Sequence, residues 1–282
     1  MERIDLHTHT TASDGTLTPR QLVELAAKSG LRAVAVTDHD NHSGCAEAIA
    51  AGAEYNVEVL PGIEISTEQR GSIHVLGYGI DLNSPRLNRM LEDIIRDRDD
   101  RNRKIIRRMQ EDGLPVEYEE LQQRFGAVVG RPHFARVLVE LGKAESIPDA
   151  FARLVGRGCR YYERRHFLSL QESVDLIREA GGVAVLAHPF QYKLDDSELR
   201  SLLHSFMDYG LQGMECRYSG YDAEKTHYLE ALAEEYGLLK TGGSDFHGEN
   251  KKHIQLGTGM NGELSVPYEF LQGLKDALAE IK

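Results

Sequence analysis

Short apolar runs that end in polar residues recur along the chain, and most are separated by segments with helical periodicity. The first, Ile4-Asp5-Leu6-His7-Thr8-His9, alternates side chains as an extended strand does, which places His7 and His9 on one face. Later runs at 33–37, 57–65, 183–187, 212–216 and 238–241 predict further strands. Between them, Thr18-Pro19-Arg20-Gln21 offers an N-cap, a first-turn proline and a capping-box glutamine. Leu22, Leu25 and Ala26 follow as an apolar stripe that stops at Gly30. An alanine-rich helix is expected over 45–55, another after the Ser169-Leu170-Gln171-Glu172 box as far as Gly181-Gly182, and a last one from Pro267. Strand alternating with helix at this spacing predicts a parallel sheet with its site at the strand C-termini.

The rhythm breaks between about 84 and 166. Leu87, Leu91, Ile94, Ile95, Ile105, Ile106 and Met109 mark a long helical segment, and shorter helices are expected at 117–125, 132–141 and 148–155. The charged middle of the long segment, 96–108, carries seven basic and three acidic residues. It predicts a solvated helix face stitched by pairs such as Asp97 with Arg101 and Asp100 with Lys104. The expected organisation is therefore a barrel made of 1–83 and 167–282, with 84–166 as an α-helical insertion capping its mouth.

Composition narrows the function. At 282 residues the chain suffices for one barrel-sized domain with an insertion. It contains no apolar run long enough for a bilayer, and Met1-Glu2-Arg3 lacks a signal-peptide pattern, so a cytoplasmic protein without membrane contact is expected. Cys45, Cys159 and Cys216 form no CxxC pair and indicate neither a disulfide framework nor a zinc ribbon. A net charge of −12 argues against wrapping long duplex nucleic acid. A small or single-stranded phosphate ligand stays compatible, because bound cations and local arginines reverse the sign of a site.

The candidate chemistry lies where the apolar runs end: His7 and His9, Asp38 and His39, Glu64, His188, and Asp245 with His247 in Gly242-Gly243-Ser244-Asp245-Phe246-His247. Imidazole and carboxylate together suit Zn, Mn or Fe, and a carboxylate such as Glu64 can bridge two ions. In the insertion, Arg131 and His133 flank a proline that opens a helix; helix N-termini and arginine forks favour phosphate oxygens, although a plain surface turn explains the same residues.

His7-Thr8-His9 with Asp14, Thr37-Asp38-His39-Asp40, Gly62-Ile63-Glu64, Ala187-His188-Pro189 and Ser244-Asp245-Phe246-His247 resemble the motifs of the PHP (polymerase and histidinol phosphatase) family across nearly the whole chain. The resemblance implies a distorted (β/α)7 barrel with a trinuclear phosphoesterase centre, Mn being the first expectation and Fe or Zn the alternatives. One ion takes His7, His9, Glu64 and Asp245; a second shares Glu64 and adds His74 and His188; a third takes Asp14, His39 and His247. The stretch from Gly130 through Lys143 is similar to the cap of a bacterial subgroup acting on 3′,5′-nucleoside bisphosphates and on RNA 5′ ends. That implies a nucleotide or short-RNA substrate, with Arg131 and His133 as contacts to its phosphate and His133 as first candidate for general acid. Arg160-Tyr161-Tyr162-Glu163 and Cys216-Arg217-Tyr218-Ser219-Gly220-Tyr221 depart from the subgroup pattern. Tyr162, Tyr218 and Tyr221 are candidates to stack on a base or to be structural. The rival readings are a histidinol-phosphatase-like monoesterase, a noncatalytic scaffold module and an amidohydrolase; the last often uses a strand-end lysine, which is missing among these motifs.

Overall fold

The computed structural model describes residues 2–67, 73–126, 128–165 and 167–281. Two compact units emerge, one of Met1–Leu91 with Phe167–Lys282 and one of Glu92–His166. The break falls inside a single long helix rather than at residue 84, because that helix continues without interruption from Pro85 to Glu111.

The first unit is a nearly closed barrel. Its strands are β1 (Arg3–Asp5), β2 (Leu31–Val36), β3 (Glu58–Ser66), β4 (His74–Tyr78), β5 (Val183–Leu186), β6 (Gly213–Tyr218) and β7 (Leu239–Gly243), neighbours in that order. β1, β2 and β3 run parallel, as do β5, β6 and β7. β4 is antiparallel to both β3 and β5, which is what distorts the alternating pattern. The short Val266–Pro267 segment pairs antiparallel with β1 at the edge. No strand is predicted at His74-Val75-Leu76-Gly77-Tyr78, so β4 is an addition to the predicted strands. Helices α1 (Pro19–Lys28), α2 (Cys45–Tyr55), α7 (Leu170–Glu179), α8 (Asp196–Asp208), α9 (Ala223–Glu235) and α10 (Tyr268–Ile281) belong to this unit. The capping boxes expected at Thr18 with Gln21 and at Ser169 with Glu172 open α1 and α7.

β2 shows how the strands are buried on both sides. Ala33 and Ala35 join one apolar cluster with Ile4, Leu6, Leu76 and Val185, while Val34 and Val36 join another with Leu22, Ala26 and Ala48 from α1 and α2. The sheet closes beyond the ends of β1 and β7: Leu6 N donates to Gly242 O (3.1 Å), Asp245 N to His7 O (2.8 Å) and His9 N to Phe246 O (2.9 Å). β1 is shorter than its alternation predicts because the buried Asp5 carboxylate takes over as a staple. It accepts from His7 N (3.2 Å), Ser244 N (2.8 Å), Ser244 Oγ (2.5 Å) and Gly257 N (2.7 Å).

The second unit contains the C-terminal part of α3 (Pro85–Glu111), then α4 (Tyr118–Phe125), α5 (Arg131–Glu140) and α6 (Ile147–Ala150), which continues as a π-turn over Phe151–Val155. Its core gathers Ile105, Met109, Tyr118, Leu121, Phe125, Phe134 and Leu138. Here the expected solvated face is corrected. Arg98 and Arg101 are only 4% and 6% exposed, and Lys104 pairs with Glu163 (3.4 Å) rather than with Asp100. The helical repeat explains this, since positions 98, 101 and 102 share the stripe of Ile105 and Met109.

The approach of β1 to β7 yields a stability prediction. A Cβ built on Gly243 would lie 2.3 Å from His7 N and 2.4 Å from His7 Cβ, both rigid parts of the closing seam. Gly243→Ala is expected to cost on the order of 2 kcal/mol, read as a lower urea midpoint. A midpoint equal to that of the unmodified protein would show that the seam yields.

Candidate metal centre

Nine residues proposed from the sequence as metal ligands all lie in the barrel unit, at or just beyond strand ends. Glu64 is their hub, and its two carboxylate oxygens face different partners. Oε2 lies 3.3 Å from His7 Nε2, 3.3 Å from His9 Nε2 and 3.0 Å from His39 Nδ1. Oε1 lies 2.7 Å from His74 Nδ1 and 3.0 Å from His188 Nε2. Asp245 Oδ1 is 3.3 Å from His9 Nε2 and 3.7 Å from His7 Nε2. Asp14 reaches His247 Nε2 at 3.2 Å and His39 Nε2 at 3.8 Å.

These donors fall into three overlapping groups, each with its ligand atoms within 4.8 Å of one another: His7, His9 and Asp245; His39, Glu64 and His74; and His9, Asp14, His39 and His247. Ligands about 2.1 Å from a shared cation stand roughly 3 to 3.5 Å apart, so the spacing fits a common ion. The polar atoms themselves ask for one. His7 Nε2, both ring nitrogens of His9, His39 Nδ1, Glu64 Oε2 and His188 Nδ1 are buried with no hydrogen-bond partner among the described residues. Buried polar atoms left without partners are costly unless something electropositive satisfies them. His188 and Asp245 moreover adopt positive φ (27° and 58°), a strained choice for these residues and one that turns both into the cluster.

Electrostatics favours the ligand forms of the acids. Burial opposes ionisation of Glu64, Asp14 and Asp245, yet the surrounding imidazoles, and Lys251 beside Asp245, hold all three well below the usual carboxylate range. Burial likewise opposes protonation of His9, but Asp245 and Glu64 raise its pKa to about 9. His7 is pushed up against burial by Glu215 and Glu64, whereas burial takes His39 down to about 3.

Several supporting residues escaped the sequence. Glu215, fully buried on β6, accepts from His7 Nδ1 (2.9 Å) and from His188 N (2.7 Å), fixing a ring and a backbone at once. Its signal was a carboxylate inside the apolar run Met214-Glu215-Cys216. Asp38 serves the loop rather than the cluster, accepting from Thr10 N (2.7 Å), Thr10 Oγ1 (2.6 Å) and Ser13 Oγ (2.5 Å). Tyr218 Oη and Lys251 Nζ each donate to Asp245 Oδ2 at 2.6 Å. Gln191, Tyr192, Tyr218 and Lys251 join the ligands around a cavity of about 280 Å³.

Of the tyrosines considered for base stacking, Tyr218 and Tyr221 are buried: Tyr218 is engaged with Asp245 at the cavity, and the Tyr221 hydroxyl accepts from Phe190 N (3.0 Å) within the barrel. Tyr162 lies in the helical unit under the Arg131 guanidinium (5.8 Å). Arg131 opens α5 there, and His133 Nδ1 accepts from Gly130 N (3.0 Å) while its ring stacks on Phe125 (4.7 Å).

The PHP domain pattern matches residues 5–173. A 5′-3′ exoribonuclease of Haemophilus influenzae is 34% identical over 247 residues, covering 87% of this chain and 90% of its own. A 3′,5′-nucleoside bisphosphate phosphatase of Chromobacterium violaceum is 33% identical over 250 residues, 88% of each chain. Among solved structures, a Bifidobacterium adolescentis protein described as a metal-dependent phosphoesterase superposes with a TM-score of 0.81 at 32% identity, covering 97% of this chain and 95% of that one. Among the described residues no helix is long and apolar enough to cross a membrane.

Glu215→Gln keeps the volume and one acceptor but removes the charge that orients His7. Outer carboxylates of this kind typically govern metal affinity by about 10- to 100-fold. The variant is expected to lose metal by that factor in a chelator competition with its far-UV spectrum unchanged; undiminished retention would assign Glu215 to the barrel core alone.

Proposed function

The chain belongs to the PHP domain family, and on that premise we propose that it cuts the ester at the 3′-oxygen of a nucleotide whose 5′-phosphate it anchors. It is a metal-dependent phosphoester hydrolase. A 3′,5′-nucleoside bisphosphate then yields the 5′-monophosphate, and a short RNA with a 5′-monophosphate shortens from that end. The carrying observation is the Glu64-centred cluster, a donor set with orphaned lone pairs and ionised acids. The names of the similar exoribonuclease and bisphosphate phosphatase support this reading over a histidinol-phosphatase-like monoesterase or a scaffold module.

Three donor groups suggest three cations, with Mn first and Fe or Zn as alternatives for an imidazole and carboxylate set. When bound, such cations supply positive charge to the phosphoryl oxygens and activate water. The protein's own contribution is orientation. Glu215 accepts the His7 Nδ1 proton and so leaves the Nε2 lone pair on the cluster side. In the proposed pose Arg131 grips phosphate oxygens through its planar fork. His133 Nδ1 accepts from Gly130 N, which leaves Nε2 as the ring nitrogen proposed to meet a phosphate oxygen or the leaving 3′-oxygen.

Replacing Asp14 by Ala removes a ligand that lies partly exposed beside His247 and His39, without opening the core. Elemental analysis is expected to show one metal equivalent fewer per chain, with turnover reduced; full metal content and full turnover together would rule out the third position.

Substrate polarity is checked directly. Adenosine 3′,5′-bisphosphate is expected to give 5′-AMP, and 3′-AMP to turn over about 10- to 100-fold less efficiently, since it lacks the charge-assisted contacts that position the ester. Release of 3′-AMP from the bisphosphate, or equal rates on 5′-hydroxyl and 5′-phosphorylated RNA, would reverse the assignment.

A further inference from the structure

We propose that Lys251 is a catalytic residue of the barrel's metal centre: its ammonium group, besides holding Asp245, donates to an oxygen of the phosphoryl group under attack. Lys251 lines the cavity of about 280 Å³ together with the ligands His39, Glu64, His74, His188 and Asp245, and it is the only lysine or arginine among the described residues that do so. Its side chain is 34% exposed, so the packing does not close it off from a ligand entering that cavity. The inference rests on phosphoester hydrolysis at the Glu64 cluster, and not on which ester of the substrate is cut.

Asp245 does not exhaust what Lys251 offers. An ammonium group has three N–H donors, and Asp245 Oδ2 (2.6 Å) is the one acceptor found for Lys251 among the described residues. That oxygen also receives the Tyr218 hydroxyl at 2.6 Å, so it is held from a second side. Asp245 Oδ1 meanwhile faces His9 and His7, at 3.3 and 3.7 Å. The remaining donors of Lys251 are left for water or for a ligand in the cavity.

The turn that carries Lys251 is fastened to the loop of another ligand. Gly248–Lys251 forms a single 3-10 turn directly after His247. Asn250 Nδ2 donates to Asp14 O (2.7 Å), and Glu249 N donates to Thr16 Oγ1 (2.9 Å). Gly248 has a φ of 62°, and a Cβ built there would lie 2.1 Å from Thr16 Oγ1, so glycine is what lets the turn seat this closely. The next residue makes the contrast: Lys252, 74% exposed and paired with Glu249 at 2.9 Å, is an ordinary surface lysine.

The chemistry gives such a group a task. Asp14, Glu64 and Asp245 bring three carboxylates to the centre, and an anionic phosphoryl group has to approach them. As the oxygen of water joins phosphorus, the P–O ester bond breaks and the proton of that water ends on the leaving oxygen. Charge meanwhile spreads over the equatorial phosphoryl oxygens, where a fixed donor stabilises it. A compact ammonium on a flexible stem follows those oxygens as the phosphorus changes geometry. Lys251 stays protonated throughout; it gives hydrogen bonds, and no bond forms or breaks at it.

The test compares the full metal-loaded chain with Lys251→Met and Lys251→Arg. Orthovanadate, which takes up the five-coordinate geometry of a reacting phosphoryl group, is the probe, and metal content is measured on the same samples. Lys251→Met is expected to keep its metal, because Tyr218 still holds Asp245 Oδ2. Its apparent affinity for orthovanadate, read from the rise in melting temperature, is expected to fall about tenfold or more. Its kcat on adenosine 3′,5′-bisphosphate is expected to fall about 100-fold, with a smaller change in KM. Orthovanadate bound elsewhere contributes equally to both proteins, so the comparison isolates Lys251. Lys251→Arg keeps the charge and is expected to recover part of both losses; a variant no better than Lys251→Met counts against a charge contact. Metal lost in step with turnover overturns the proposal and makes Lys251 a holder of Asp245. An orthovanadate affinity unchanged with the metal in place, or no orthovanadate response in the unmodified protein, overturns it as well. Absence of any turnover on adenosine 3′,5′-bisphosphate by the unmodified enzyme would overturn the nucleotide function proposed above, and the orthovanadate comparison would still decide the role of Lys251.

Discussion

The interaction on which the barrel's mouth depends is the contact between the buried Glu64 carboxylate and five imidazoles, those of His7, His9, His39, His74 and His188. Taking that many polar groups out of water is unfavourable, and they cannot satisfy one another, since several of their nitrogens are left without partners. A site of this kind persists only if the backbone beneath it is held firmly and if cations complete it. The first condition is met by the seam between β1 and β7, where the Asp5 carboxylate collects four donors and Gly243 lets the two chains pass at close range. His7 and His9 on one side of the seam, and Asp245 and His247 on the other, are thereby brought together from opposite ends of the chain.

In the helical unit the buried charged groups are guanidinium ions, Arg98 and Arg101 among them. Buried charge contributes little to stability, and at the barrel's mouth it defines what the protein must bind. Supporting residues show where the structure adds precision to that requirement. Glu215 orients an imidazole and a strained backbone together, and Tyr218 and Lys251 converge on the second oxygen of Asp245.

Much of this was legible from side-chain order alone. Strand alternation and the polar ends of apolar runs identified the barrel's parallel strands and the residues gathered at its mouth, because both are local consequences of the chain's own repeat. Helix starts at Thr18 and Ser169 were equally local, being set by side chains three residues apart. The reversed direction of β4 was not legible, since an antiparallel strand and a parallel one carry the same alternation.

What the sequence by itself determined is which residues can serve as ligands, caps and core, since those properties belong to side-chain type and to spacings of two, three and four. What only the tertiary structure decided is which of them share an environment. Glu215 read as one carboxylate in an apolar run until β6 set it against His7, 208 residues away in sequence. Arg101 read as half of a solvated pair with Asp97 until the packing of α3 placed it among other arginines. The physical reason is the same in both cases: burial and the sign of neighbouring charge arise from long-range contacts, and no local pattern encodes them.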